Sequence, residues 1–136
     1  MKRGMYGAAL TVMLGLLGTG AAQAYSSGPT TVSYDGVDRG AGKGSFYGVG
    51  WDGARLEPTL RDFRVDDMQA YIEGNTNNRA KVQSGRRGDG KSSWVTLSTR
   101  TAYAGSSTAN VWSTVDVCMD RAWATDPCKR SKSGNF

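Results

Sequence analysis

With two glutamates, Glu57 and Glu73, and no histidine, this chain has little acid–base chemistry to offer. Without an imidazole it cannot assemble a Ser-His-Asp or Cys-His relay or a His-ligated zinc, and it lacks the acid that many small secreted ribonucleases use. Hydrolysis by two carboxylates needs only an acid and a base or nucleophile at a suitable distance. Glu57 and Glu73 are the available glutamates for it, and nothing in their neighbourhoods marks them as a pair. A carboxylate-dependent hydrolase is therefore the alternative expectation, not the leading one.

Three other segments invite a chemical reading. Gly40-Ala-Gly-Lys43-Gly-Ser45 resembles a phosphate loop, but Gly44 follows the lysine where Ser or Thr is required, and Val37 stands where the earlier glycine belongs. A flexible surface loop is the expectation. Gly88-Asp-Gly-Lys-Ser-Ser93 resembles most of the short βγ-crystallin calcium pattern, with glycine in place of its first acidic residue. Asp-Gly marks turns so often that a polar hairpin tip is preferred there. Asp62, Asp66 and Asp67 read as an exposed turn. No metal site and no cofactor are expected.

Aromatic and arginine side chains carry the remaining signal. Tyr47, Trp51, Trp94, Trp112 and Trp123 are a heavy allotment for so small a domain, and such residues serve as platforms for sugar rings or as anchors at protein interfaces. Trp94, Trp112 and Trp123 are expected in the core, with Trp123 covering a disulfide, because bulky aromatics usually bury most of their area. Tyr47 and Trp51, set among glycines, are the candidate binding aromatics. Arg86 and Arg87 are the candidate cationic donors, although basic pairs in glycine-rich company are most often solvated loop.

The compartment follows from the first residues. Lys2 and Arg3 precede an apolar run from Met5 to Leu17, and Ala22-Gln23-Ala24 supplies a cleavage site, so residues 1–24 read as a secretory signal peptide removed before Tyr25. That leaves 112 residues, a single domain, with 15 basic and 12 acidic side chains and a formal charge of +3. Basic and acidic residues alternate along most of the chain, so neither nucleic acid nor, once the leader is gone, a membrane is an expected partner. An oxidising destination makes Cys118–Cys128 the expected disulfide, closing a loop short enough to contribute about 2–3 kcal/mol.

These residues must be positioned by strands. Leu60–Val65 alternates, Met68, Ala70 and Ile72 form a second period-two set, and Arg79–Gln83, Ser93–Tyr103 and Asn110–Met119 continue the pattern. Thr31–Tyr34 and Phe46–Trp51 read as strands around a glycine-rich loop at Asp35–Ser45. Val111, Val115, Val117 and Met119 are expected to face inward. No window carries a 3.6-residue apolar stripe. The fold class is therefore all-β, a small antiparallel β-sandwich of about six to eight short strands with one disulfide. Residues 25–30 are expected to be a flexible start, 31–128 the sandwich domain, and 129–136 a basic, disordered tail.

The leader, the stretch Asp62-x-x-x-Asp66-Asp67-Met68-Gln69-Ala70-Tyr71-Ile72, and Val115-Asp-Val-Cys118 followed by Asp126-Pro-Cys128 together resemble small secreted actinobacterial β-sandwich proteins. The resemblance implies the fold and the disulfide and brings no assigned activity. The leading expectation is a secreted, extracellular, non-catalytic protein that binds a cell-envelope polysaccharide or another extracellular protein. A secreted antibacterial protein is a weaker alternative.

Overall fold

A computed structural model describes residues 24–78 and 80–135; the expected signal peptide lies outside these residues except for Ala24. Nine strands are present among them: β1 Ala24–Tyr34, β2 Val37–Val49, β3 Gly53–Asp62, β4 Met68–Thr76, β5 Lys81–Gln83, β6 Val95–Thr96, β7 Arg100–Tyr103, β8 Trp112–Arg121 and β9 Cys128–Asn135. They form two antiparallel sheets. The first runs β1-β2-β3, with β6 and β7 paired end to end along the free edge of β3. The second runs β5-β4-β8-β9.

The segment expected to be a loop, Asp35–Ser45, is instead a tight turn and most of β2. Asp35 and Gly36 both have positive φ, 52° and 71°. Two such residues between paired strands make the turn whose twist matches a hairpin, which explains the Asp-Gly pair. Beyond the turn the glycines face the second sheet. A Cβ on Gly42 would stand 2.9 Å from Ile72 Cγ1 and 3.1 Å from Val117 Cγ1, and one on Gly40 would stand 2.9 Å from Met119 Sδ. Glycine is present because the sheets approach too closely for a side chain.

Both ends of the domain also differ from expectation. Residues 25–30 belong to β1, paired with β2 from Ala24 opposite Tyr47. Lys129–Asn135, expected as a disordered tail, pairs with β8 from Cys128 opposite Cys118 to Asn135 opposite Trp112. Its polar composition suits an edge strand exposed on most of its length. Thr30 Oγ1 donates to Ser131 Oγ at 2.9 Å, joining β1 to β9 where the two sheets meet at one side. β9, together with the division of the strand expected at Ser93–Tyr103 into β6 and β7, brings the number of strands among the described residues to nine, where about six to eight were expected.

The core lies between the sheets and is filled by Val32, Phe46, Leu56, Leu60, Ile72, Val82, Val115, Val117 and Met119. Each such fully buried side chain contributes about 1.5–3 kcal/mol of transfer free energy. Val111, expected to be inward, is exposed because β8 starts only at Trp112. The disulfide Cys118–Cys128 is present and joins residues directly opposite one another on β8 and β9. Trp123 does not cover it. This side chain is fully exposed at the β8–β9 turn, with φ of 67°.

Asp62 ends β3 fully buried, and its Oδ2 accepts the Gly90 N–H at 2.7 Å. Burial pushes its carboxyl above the usual aspartate range, against the lowering effect of the Gly90 and Arg64 backbone groups. Only glycine fits at position 90, where φ is 65° and a Cβ would stand 2.4 Å from Val65 Cγ2.

Candidate functional site

Alternation in β2 and β3 divides their side chains cleanly between the core and solvent. The even-numbered residues of β3, Ala54, Leu56, Pro58, Leu60 and Asp62, are buried, so Arg55, Glu57, Thr59 and Arg61 project from the outer face of the first sheet. Register then places Tyr47 beside Arg55, Ser45 beside Glu57, Lys43 beside Thr59 and Ala41 beside Arg61. Thr96 of β6 lies on the far side of Thr59, and Thr101 of β7 on the far side of Arg55.

An open trough of about 310 Å³ occupies the middle of this face, lined by Ser26, Ser45, Lys43, Glu57, Thr59 and Thr96 among others. Aromatic groups stand at both ends. At one end the Tyr47 hydroxyl donates to Glu57 Oε1 at 2.8 Å, and Arg55 Nε donates to Thr101 Oγ1 at 3.2 Å. Hydrogen bonding with Tyr47 raises the Arg55 guanidinium pKa further above its already high value, so Arg55 is a permanent cation. At the other end Lys43 Nζ lies 4.6 Å and Arg61 Cζ 5.0 Å from the centroid of the Trp94 ring. Arg61 also lies 4.8 Å from the Phe63 ring. Such contacts hold a cation in place without a carboxylate.

Of the four binding residues expected from the sequence, Tyr47 alone adjoins this trough, through its hydrogen bond to the lining residue Glu57. Trp51 is exposed in the β2–β3 turn at the end of the sandwich, where its Nε1 donates to Ser107 O at 3.0 Å and its carbonyl accepts from Asn110 N at 3.2 Å. The arginines are elsewhere. Arg86 forms an ion pair with Asp120 and lies 4.6 Å from the Tyr71 ring on the outer face of the second sheet. Arg87 is buried and pairs with Asp89 at 3.0 Å.

Arg87 also accounts for the calcium-like segment. Its Nη2 donates to Lys91 O at 3.3 Å and to Ser93 Oγ at 3.4 Å, and Asp89 Oδ1 accepts from both Arg87 Nε and Lys91 N. Oxygens that a metal would need are thus turned onto a guanidinium. Bonds from Lys91 and Arg87 hold the Asp89 carboxyl below its usual range despite some desolvation.

The two glutamates do not meet. Glu57 projects from the first sheet, whereas Glu73 projects from the outer face of the second, where it accepts from Asn75 and Gln83 and pairs with Lys81 at 3.0 Å. Burial alone would raise the Glu73 pKa, and these three partners lower it overall. Facing sheets are about 10 Å apart, so carboxylates on opposite outer faces lie well beyond the roughly 5–9.5 Å that glycosidase pairs require.

Sequence reasoning missed Lys43, Arg55, Thr59, Arg61 and Trp94 as site residues. A signal existed in the strict alternation of Arg55, Glu57, Thr59 and Arg61, obscured because the strand was expected to begin only at Leu60. Trp94, expected in the core, is half-buried against Lys43 and Arg61 on the outer face. No protein-family model, curated protein or solved structure matches the chain. The trough is therefore assigned on its geometry.

Proposed function

We propose that this chain is an exported, non-catalytic protein that binds an extracellular or cell-envelope polysaccharide across the outer face of its first sheet. The observation that carries the reading is the trough itself, whose polar floor of Ser45, Glu57, Thr59 and Thr96 lies between Tyr47 and Trp94. Hydroxyl-rich ligands need paired donors and acceptors spread over a wide surface, and ring faces need flat apolar partners; both are supplied here. An open trough suits a chain that continues past the site at both ends.

Export is supported by the basic-apolar-small pattern of residues 1–24 and by the disulfide, which persists in oxidising compartments. Among the described residues no helix is long and apolar enough to cross a membrane. A non-catalytic role is supported by the separation of Glu57 from Glu73.

Affinity electrophoresis of residues 25–136 through gels containing soluble glycans, with pull-down on isolated cell-wall material, tests the proposal. At least one polysaccharide should retard the protein, and Tyr47→Ala and Trp94→Ala should each weaken binding by about tenfold, corresponding to about 1.4 kcal/mol. Trp51→Ala should leave it unchanged. Absence of retardation by every glycan and cell-wall fraction, or binding indifferent to both trough substitutions, would overturn it.

A further inference from the structure

On the second sheet and its flanking loops Lys81, Arg86, Arg87 and Arg130 each have a carboxylate partner, whereas Arg121, Lys129 and Lys132 have none within ion-pair distance among the described residues; Arg39 at the end of the first sheet pairs with Asp66. On the trough face Lys43, Arg55 and Arg61 have none within ion-pair distance among the described residues. Each is held instead by neutral groups: Lys43 by the Trp94 ring, Arg55 by Thr101 and Tyr47, and Arg61 by Trp94 and Phe63. The one carboxylate of the trough, Glu57, accepts from the Tyr47 hydroxyl.

We infer that the polymer bound in the trough is anionic, a linear glycan or polyol chain carrying carboxylate or phosphate groups at regular intervals. This deepens the polysaccharide reading and rests on it. Three features point the same way. The face carries three cations against one carboxylate, so its field favours an anion. The cations are held in place, which lowers the ordering cost of binding. They are spread along the strands: outward residues recur about every 6.7 Å, so Arg55 and Arg61 stand about 20 Å apart along β3, and Lys43, beside Thr59 on β2, lies between their levels and nearer Arg61. A polymer lying along β2 and β3 meets positive charge at both ends and in between, and its hydroxyls meet Ser45, Thr59 and Thr96.

Calorimetric titration of residues 25–136 tests this with four probes: polygalacturonate, the same polymer fully methyl-esterified, poly(glycerol phosphate), and a single-stranded oligonucleotide. Polygalacturonate or poly(glycerol phosphate) should bind at least about tenfold more tightly than the esterified polymer, and the tighter of the two identifies carboxylate or phosphate as the group read. Binding should weaken several-fold between about 50 and 500 mM NaCl, as screening shortens the reach of exposed charges. Lys43→Gln and Arg61→Gln should each lower affinity by about 3- to 10-fold, in the range of a charge-assisted hydrogen bond. Arg86→Gln, on the opposite face, should not. Lys43→Arg should retain binding, and thermal unfolding of each variant confirms that it is folded. Affinity for the esterified polymer equal to or above that for both anionic polymers would overturn the inference and leave the polysaccharide reading standing. Binding of none of the polymers, neutral or charged, would overturn both. Preference for the oligonucleotide would also overturn the inference, by making the partner a nucleic acid.

Discussion

Gly74→Ala should destabilise the sandwich through one aromatic ring. Gly74 lies in β4 facing the core, and a Cβ there would stand 2.3 Å from Phe46 Cε2, 2.7 Å from Cζ and 2.8 Å from Cδ2. Carbon atoms in contact settle at about 3.5–4.0 Å, so the ring must withdraw by more than about 1 Å. It has little room, being 1 % exposed. Overpacking of this kind costs about 1–3 kcal/mol, and the gain in backbone entropy on replacing glycine returns about 0.5–1 kcal/mol. A net loss of about 1–2 kcal/mol follows, corresponding to a fall in Tm of about 5–15 °C for a domain of this size. Urea unfolding monitored by tryptophan fluorescence, with calorimetry, measures it. The ring is also the test of cause. In the Phe46→Leu background the smaller side chain vacates the contested space, so Gly74→Ala should become nearly neutral, with a coupling energy of about 1 kcal/mol or more. A Gly74→Ala variant as stable as the parent, or additive losses in the double variant, would refute the steric argument.

Three further predictions concern other parts of the fold. The Asp62 carboxyl, raised by burial, binds its proton more tightly in the folded state, so its contribution favours folding below the ordinary aspartate pKa of about 3.9 and is lost as pH rises through the raised value. Asp62→Asn should therefore remove a decline in stability over the pH range just above about 4; an unchanged difference from the parent across that range in urea titrations would count against it. Replacing both Cys118 and Cys128 by Ser should cost about 2–3 kcal/mol in the chain-entropy view of a short closed loop, and a loss below about 0.5 kcal/mol would show that the β8–β9 pairing needs no crosslink. Trp123→Gly should be neutral or stabilising by up to about 1 kcal/mol, because Trp123 is fully exposed and holds a left-handed backbone that glycine adopts without penalty. A marked destabilisation in thermal melts would mean that Trp123 packs against something in solution.

Much of the second half of the fold was legible. Met68, Ala70 and Ile72, then Val115, Val117 and Met119, alternate as strands covered on one face must, and all of them are buried, whereas Asp62, expected in an exposed turn, is buried at the end of β3. The cysteine pair was equally clear, since two cysteines flanking a turn have few other uses in an exported chain. The first half was not. Gly40, Gly42 and Gly44 weaken any propensity-based strand assignment, and the reason for the first two, contact with Ile72, Val117 and Met119 on another sheet, has no trace in the local sequence; Gly44 instead clears the Glu57 backbone of β3. The tail misled in the same way, because Ser and Gly in an edge strand look like Ser and Gly in a disordered one.

The candidate site shows the same division. Residue types were available in the chain: aromatics and arginines in excess, no histidine and two glutamates. Which of them could act together was a matter of register and facing. Tyr47, Glu57, Lys43 and Trp94 are scattered over about half the domain and converge only because β2, β3 and β6 align them on one outer surface. Arg86 and Arg87, adjacent in sequence, pair with different partners: Arg87 with its near neighbour Asp89, and Arg86 with Asp120, which the chain brings near only when folded. Period-two patterning is a local property, so the chain reveals that strands exist and which faces they bury. Sheet partners, their register and the pairing of charges are long-range properties, and the tertiary structure alone decided them.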